Sequence, residues 1–294
     1  MKLHYQLWNQ TQQQPQPVES TVESTKKLVL LHGMGGTGAL WRPIASALEN
    51  EFAILAPDQR GHGQSILPPV ENPQASYTPL DYGQDIVETL AEAHFHPAWI
   101  LGHSMGVRTA VAFAHLKPEW TQGLILVDLG FSGVAGGGLG EGLASFLKLL
   151  PLQFQSREEA RDFMTLHCPD PSIAQYLMAV SVKTPEGGLT FPFDRSALIE
   201  TIHSARDVSV RSWVQELGAQ GVPILVLRGA FSQVWTHSEF EKEKAALSSF
   251  KSIVFQEVHN AGHGLPFEQR IVFIKLVRQF IRQFINPSLK AGVQ

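Results

Sequence analysis

WILGHSMGVRTA, residues 99–110, runs an apolar segment straight into a serine held between two glycines. Gly102, Ser104 and Gly106 form the pattern G-x-S-x-G, and the residues after it read as a helix. A chain that turns from a buried strand into a helix within a residue or two has little room for side chains. Glycines on either side let the backbones approach, and the bend lifts the serine hydroxyl into the open. The bare pattern is common, and its place between strand and helix is what gives it weight. It predicts an α/β architecture in which strands feed helices at one end of a sheet.

The same rhythm continues in both directions. Apolar runs occur at residues 3–8 and 27–31, then as AILAP ending at Pro57, AWIL ending at Leu101, GLILVD ending at Asp128, VPILVLR ending at Arg228 and SIVFQEV ending at Val258. Most do not alternate with polar residues, as expected for strands buried on both faces. Helices are expected over residues 38–49, 80–94, 105–117, 237–249 and 266–286. The last carries Ile271, Ile274, Val277, Phe280, Ile281 and Phe284 near helical spacing, which turns an apolar stripe to the sheet. The polar stretch QTQQQPQPVESTVEST, residues 10–25, reads as a surface loop. Between Asp128 and the VPILVLR strand the chain is far longer than one crossover helix needs. A helical insertion over about residues 130–212 is therefore expected, opening with GVAGGGLGEG, a linker or a hinge for a lid.

A serine hydroxyl is a weak nucleophile at neutral pH and needs a base within hydrogen-bond reach. The chain has 12 histidines, so their number alone selects none. His263, within VHNAGHGLPFEQ, sits in a turn after the last strand and before the last helix, the histidine's place in the chain order serine, acid, histidine. His259 reads as a strand-end or loop residue, and His32 and His62 as turn residues with structural hydrogen bonds. LVLLHGMGGTGALW, residues 28–41, admits two readings. Gly33, Gly35 and Gly38 fit G-x-G-x-x-G, with Asp58 about 20 residues on, as in a dinucleotide-binding unit. The same glycines after His32 can form a turn that holds an oxyanion. The first reading leaves Ser104 and His263 unexplained, and the second accounts for both.

HGMGG, DQRGHGQS, GHSMG and AGHGLPFEQ, in this order and spacing, resemble the α/β-hydrolase superfamily, in particular its small serine esterase-like members. The resemblance covers most of the chain and is weakest in the insertion. It implies a mostly parallel central sheet of about eight strands flanked by helices, with a helical cap inserted after strand six. The core domain would be residues 1–129 and 213–294, and the cap residues 130–212. It also implies an oxyanion hole made by the backbone N–H groups of Met34 and Met105, and it makes Asp58 a structural residue of its turn. Many members place the catalytic acid after the penultimate strand. Here that loop reads RGAFSQVW, and the matching position is Gln233, which cannot stabilise an imidazolium. Asp128 ends the strand expected beside the Ser104 strand, about 4.8 Å away, and a subgroup of small bacterial esterases with mitochondrial relatives resembles this arrangement. Asp128 is therefore the expected acid, with Ser232 as a supporting residue and Asp194 and Asp207 as competitors from the insertion.

The chain has 294 residues, of which 44% are hydrophobic and 17% charged, with a net charge of −4, which gives no electrostatic case for nucleic acid or an anionic membrane. Its one cysteine, Cys168, excludes an intramolecular disulfide and a cysteine-rich zinc site. With no signal-like start and no long apolar run, a soluble cytoplasmic protein is expected. The expected function is cleavage of carboxylic esters of small molecules through Ser104, His263 and Asp128, with no metal or organic cofactor. Thioester, lactone and carbon–carbon bond hydrolysis and perhydrolysis share this machinery. A carboxylate-nucleophile reaction does not fit Ser104, and a non-catalytic small-molecule receptor is the alternative of another class. SFLKLLPLQF, DFMTL and QYLMAV in the insertion either cover an apolar acyl group or pack on one another.

Overall fold

A computed structural model describes residues 1–9, 26–66, 76–132 and 139–285, with the side chains of Leu139, Asp207 and Ile285 excepted. Its strands are β1 (Tyr5–Trp8), β2 (Lys27–Leu31), β3 (Ala53–Pro57), β4 (Ala98–His103), β5 (Thr121–Val127), β6 (Gln153–Phe154), β7 (Val182–Lys183), β8 (Leu189–Thr190), β9 (Ile224–Gly229) and β10 (Ile253–Val258). The helices are α1 (Arg42–Leu48), α2 (Pro79–Glu92), α3 (Met105–Leu116), α4 (Leu139–Leu149), α5 (Arg157–His167), α6 (Pro171–Val180), α7 (Arg195–Asp207), α8 (Arg211–Ala219), α9 (His237–Ala246), α10 (Leu265–Glu268) and α11 (Arg270–Ile285).

Among the described residues the main sheet has seven strands in the order β1-β3-β2-β4-β5-β9-β10. All neighbours are parallel except β1, which runs antiparallel to β3. Successive residues face opposite layers. Val29, Leu31 and Ile100 enter one core with α2, α3 and α8, whereas Leu28, Leu30, Trp99 and Leu101 enter the other with α1 and α11. Burial on both faces explains the continuous apolar runs. The two edge strands are the exceptions: β1 is half-buried throughout, and β10 has buried ends with half-exposed or exposed positions between them.

Among the described residues the sheet expected to have about eight strands has seven, and the strand ending at Asp128 is the fifth of them in chain order. Before Lys27 the described chain contributes a single strand, and residues 10–25, read as a loop, lie outside the description. The glycine run read as a linker or hinge falls largely on residues 133–138, also outside it.

Between β5 and β9 the described chain forms α4–α8 and a three-stranded antiparallel sheet, β6-β8-β7. Its strands are two residues long, too short to leave a periodic signal in sequence. A third hydrophobic cluster spans Ala144 to Ile202 and takes in Met34 and Leu40 from the glycine-rich turn and the 3₁₀ turn before α1. Val210, Val214 and Leu217 join the sheet's core instead. The change of allegiance thus lies between Ile202 and Val210, and a boundary at residue 212 cuts the first turn of α8. No helix among the described residues is long and apolar enough to cross a membrane.

The docking of α8 can be measured directly. Leu217→Ala removes a side chain that is 1% exposed and is expected to cost about 2–5 kcal/mol. Leu166→Ala, at a position 77% exposed in α5, should change stability by less than about 0.5 kcal/mol. Urea denaturation of both variants checks the difference.

Candidate active site

Ser104 occupies the bend between β4 and α3 with φ 54° and ψ −124°. A non-glycine residue there carries about 1–3 kcal/mol of strain, so the surroundings must hold it. Its N–H donates to the Val127 carbonyl at 2.9 Å, and its own carbonyl accepts from the Val107 N–H at 2.8 Å. A Cβ on Gly106 would lie 2.5 Å from the Leu31 carbonyl oxygen, and one on Gly102 2.1 Å from that of Gly106. These are backbone contacts, which cannot yield as a side chain would, so both glycines are steric requirements of the bend.

Asp128, directly after β5, also has a positive φ, 58°. Its N–H donates to the Leu227 carbonyl, which anchors it to β9. The carboxylate is fully buried. Oδ1 accepts from the Gly229 N–H at 2.9 Å, and Oδ2 accepts from the Ser232 hydroxyl at 2.5 Å. His263, in the turn after β10, is buried, with Nδ1 2.7 Å from Asp128 Oδ2 and Nε2 2.9 Å from Ser104 Oγ. A carboxylate only accepts, so Nδ1 carries the proton and Nε2 turns its lone pair to the serine hydroxyl. His103 Nε2 donates to the His263 carbonyl at 2.7 Å, which ties the loop to the end of β4.

The structure thus brings Ser104, His263, Asp128 and Ser232 into one chain of contacts. It places the other candidates elsewhere. Asp194 caps α7 by accepting from the Ser196 and Ala197 N–H groups. Gln233 is exposed and donates to the Phe231 carbonyl. His259 is exposed, and the Asp207 side chain lies outside the described residues.

Met34 and Met105 flank Ser104 in the lining of one cavity. Met105 opens α3, so its N–H is among those that helix geometry leaves without an intrahelical acceptor. Met34 lies in a turn closed by the Gly36 N–H donating to the Gly33 carbonyl. Gly35, at φ 79°, is the left-handed residue such a turn requires. Buried histidines fix this turn. His62 donates from Nδ1 to the Arg60 carbonyl and accepts the Gly35 N–H at Nε2. His32 donates to the Gly33 carbonyl and accepts the Gln59 N–H. Both rings must be neutral to accept. Burial depresses His32 to about 4 and His62 to about 3, and it depresses His103 to about 3 as well. Asp58 accepts from the Gly38 and Gln64 N–H groups and contacts His4 Nδ1, so both its oxygens are occupied by contacts that join its turn to the start of the chain and to the glycine-rich turn.

The cavity measures about 180 Å³, below the range of about 300–1,000 Å³ usual for ligand sites. Of the apolar stretches singled out in the insertion, Leu147, Tyr176 and Leu177 line it. Phe146, Leu150, Phe154, Met164 and Met178 pack within the third cluster, and Leu149, Leu152 and Leu166 are exposed. Arg108, four residues after Ser104, also lines the cavity, as does Thr201. Sequence reading passed over both. The four-residue spacing on a helix was the available signal for Arg108. Among the described residues no three His, Cys, Asp or Glu side chains gather as a metal site.

The buried imidazoles make stability depend on acidity. The unfolded chain takes up a proton on each ring near 6.5, whereas His32, His62 and His103 resist protonation in the folded state down to about 4, 3 and 3. The unfolded state therefore binds more protons as pH falls below 6.5, and stability is lost, by about 1.4 kcal/mol per pH unit for each ring. Denaturation at pH 6 and pH 5 should show a slope near three protons. A slope below one proton would mean that these rings charge without unfolding.

The model of the alpha/beta hydrolase family matches residues 28–275. A putative esterase/lipase of Haemophilus influenzae is 22% identical over 267 residues, covering 90% of this chain and 86% of that protein. An uncharacterized protein of Mycobacterium tuberculosis is 28% identical over 165 residues, or 56% of this chain and 45% of that protein, so this chain matches less than half of that relative's length. A solved esterase from a marine microorganism superposes with a TM-score of 0.73 at 21% identity, over 95% of this chain and 99% of that one. The match runs from β2 into α11, through every segment that builds the Ser104 site, and the chain belongs to the alpha/beta hydrolase family.

Proposed function

We propose that the protein hydrolyses carboxylic esters through an acyl-enzyme on Ser104. The observation that carries this reading is the chain from Ser104 Oγ to His263 Nε2 and from His263 Nδ1 to Asp128 Oδ2, at 2.9 and 2.7 Å. Those distances allow His263 to take the hydroxyl proton as Ser104 attacks the acyl carbonyl. Asp128 holds the ring in the tautomer that accepts this proton and stabilises the imidazolium that forms. The N–H groups of Met34 and Met105 receive the developing oxyanion, a role worth about 2.7–4 kcal/mol per donor in comparable sites. His263 then protonates the departing alcohol. Water, deprotonated by the same ring, releases the acid and restores Ser104. Ser232 and Gly229 orient the carboxylate by donating to it. The segment between β5 and β9 acts as a cap, with Leu147 and Leu177 against the acyl group.

The test combines covalent labelling with turnover. A fluorophosphonate probe should label the wild-type protein and spare Ser104→Ala, and p-nitrophenyl butyrate turnover should fall by several powers of ten in that variant. Asp128→Asn should lose about 10⁴-fold in kcat with the fold intact. A wild-type protein that neither labels nor turns over any ester, thioester or lactone would point to a receptor instead.

A further inference from the structure

Among the described residues two arginines are buried, Arg108 and Arg228, and they differ in their partners. Arg228, 2% exposed, pairs with Glu257, and Arg60 pairs with Asp85. Arg211 pairs with Glu243 and Arg278 with Glu51. Arg108 is 5% exposed, and among the described residues no carboxylate pairs with it. Its acceptors are two neutral carbonyls, Val208 O at 2.8 Å and Ser132 O at 2.5 Å. A guanidinium has five N–H donors in a fork suited to a carboxylate, so these two bonds leave donors over. Burying such a charge without an anion is costly. Its effect is visible in the depression of Arg108 to about 10 by burial, which still leaves it charged at neutral pH.

The position adds a direction to this imbalance. Arg108 and Ser104 line the same cavity, and Arg108 is its one permanently charged side chain among the described residues. Four residues along a helix span about 6 Å, so the backbones of Ser104 and Arg108 lie roughly one helical turn apart. The walls between and around them are apolar, with Leu129, Val234 and Ala205 among them. Low-dielectric walls strengthen the attraction for an anion and penalise any other polar group placed there.

We infer that Arg108 receives a free carboxylate of the substrate, so that the preferred ester is short and anionic, with a few carbons between its ester carbonyl and its acid group. This rests on Ser104 as the nucleophile and adds a specificity-determining residue to it. The two carbonyls orient the fork, and the substrate supplies the missing negative charge. The carboxylate can belong to the acyl half or to the alcohol half, and the test separates them.

Acid release in a pH-stat is compared for monoethyl glutarate and ethyl pentanoate, and for 3-acetoxypropanoate and its methyl ester. The wild-type protein should favour one anionic ester over its neutral counterpart by tenfold or more in kcat/KM, chiefly through KM. The favoured pair identifies the half that carries the acid. In Arg108→Met that preference should fall at least tenfold, and Arg108→Lys should restore part of it. Ratios within threefold of one for both pairs in the wild-type protein overturn the inference, whether or not the variants fold. A ratio unchanged in folded Arg108→Met overturns it as well. Calorimetry on Ser104→Ala with monoethyl glutarate and 3-acetoxypropanoate keeps the two readings distinct. Binding of either that is lost in the double variant with Arg108→Met, in a protein whose wild type turns over no ester, would leave Arg108 as an anion receptor and discard the hydrolase reading. No binding of either there would discard the Arg108 assignment.

Discussion

A contact between backbones governs the molecule. α3 begins so close to the end of β2 that no Cβ fits at Gly106 against the Leu31 carbonyl, and none at Gly102 against Gly106 itself. That closeness forces Ser104 into a left-handed conformation, which persists because sheet and helix hold it from both sides. The strain is what exposes the hydroxyl. A relaxed turn would carry the residue into the helix, with its side chain against the sheet. The His263 loop is tied to this bend by the bond from His103, and the glycine-rich turn is held to the loop after β3 by His32 and His62.

The site separates two kinds of histidine by the partners each ring meets. His32 and His62 face backbone carbonyls on one nitrogen and backbone N–H groups on the other, an arrangement only a neutral ring satisfies. Burial among such partners makes them rigid neutral struts. His263 faces a buried carboxylate on one side and a hydroxyl on the other, and that pair of partners supports both the neutral ring and the imidazolium. The ring of His263 meets a fixed counter-charge, whereas the rings that hold the glycine-rich turn meet none.

Much of this was legible in the sequence, for reasons that can be stated residue by residue. Strands buried on both faces wrote themselves as unbroken apolar runs, so the sheet and its alternation with helices could be read. Ser104 and His263 stood out because the bend and the turn each impose glycines around them. The insertion resisted because its order comes from a core of its own, Phe146, Leu177 and Leu198 among its members, and from strands two residues long. Nothing in local composition says that Leu147 lines the cavity while Leu149 faces outward. Arg108 was hidden for another reason. A helical arginine normally reads as a solvated charge, and only packing shows one that is buried without an acid.

The position of Asp128 shows how neighbouring strand ends can divide the groups of one buried contact. β5 and β9 are paired in register, Val127 opposite Leu227, so the residues that follow them emerge side by side. A carboxylate on either strand end can approach the same imidazole. Once Asp128 supplies the charge from β5, a second one from the β9 loop would repel it across a buried gap. The β9 loop instead presents donors, the Gly229 N–H and the Ser232 hydroxyl, to both oxygens of Asp128. Glutamine at 233 fits this division, since its side chain turns away to the Phe231 carbonyl and adds no charge. A buried carboxylate needs donors as much as a histidine needs a carboxylate, and two adjacent strand ends meet both needs only when one carries the acid and the other the hydrogens.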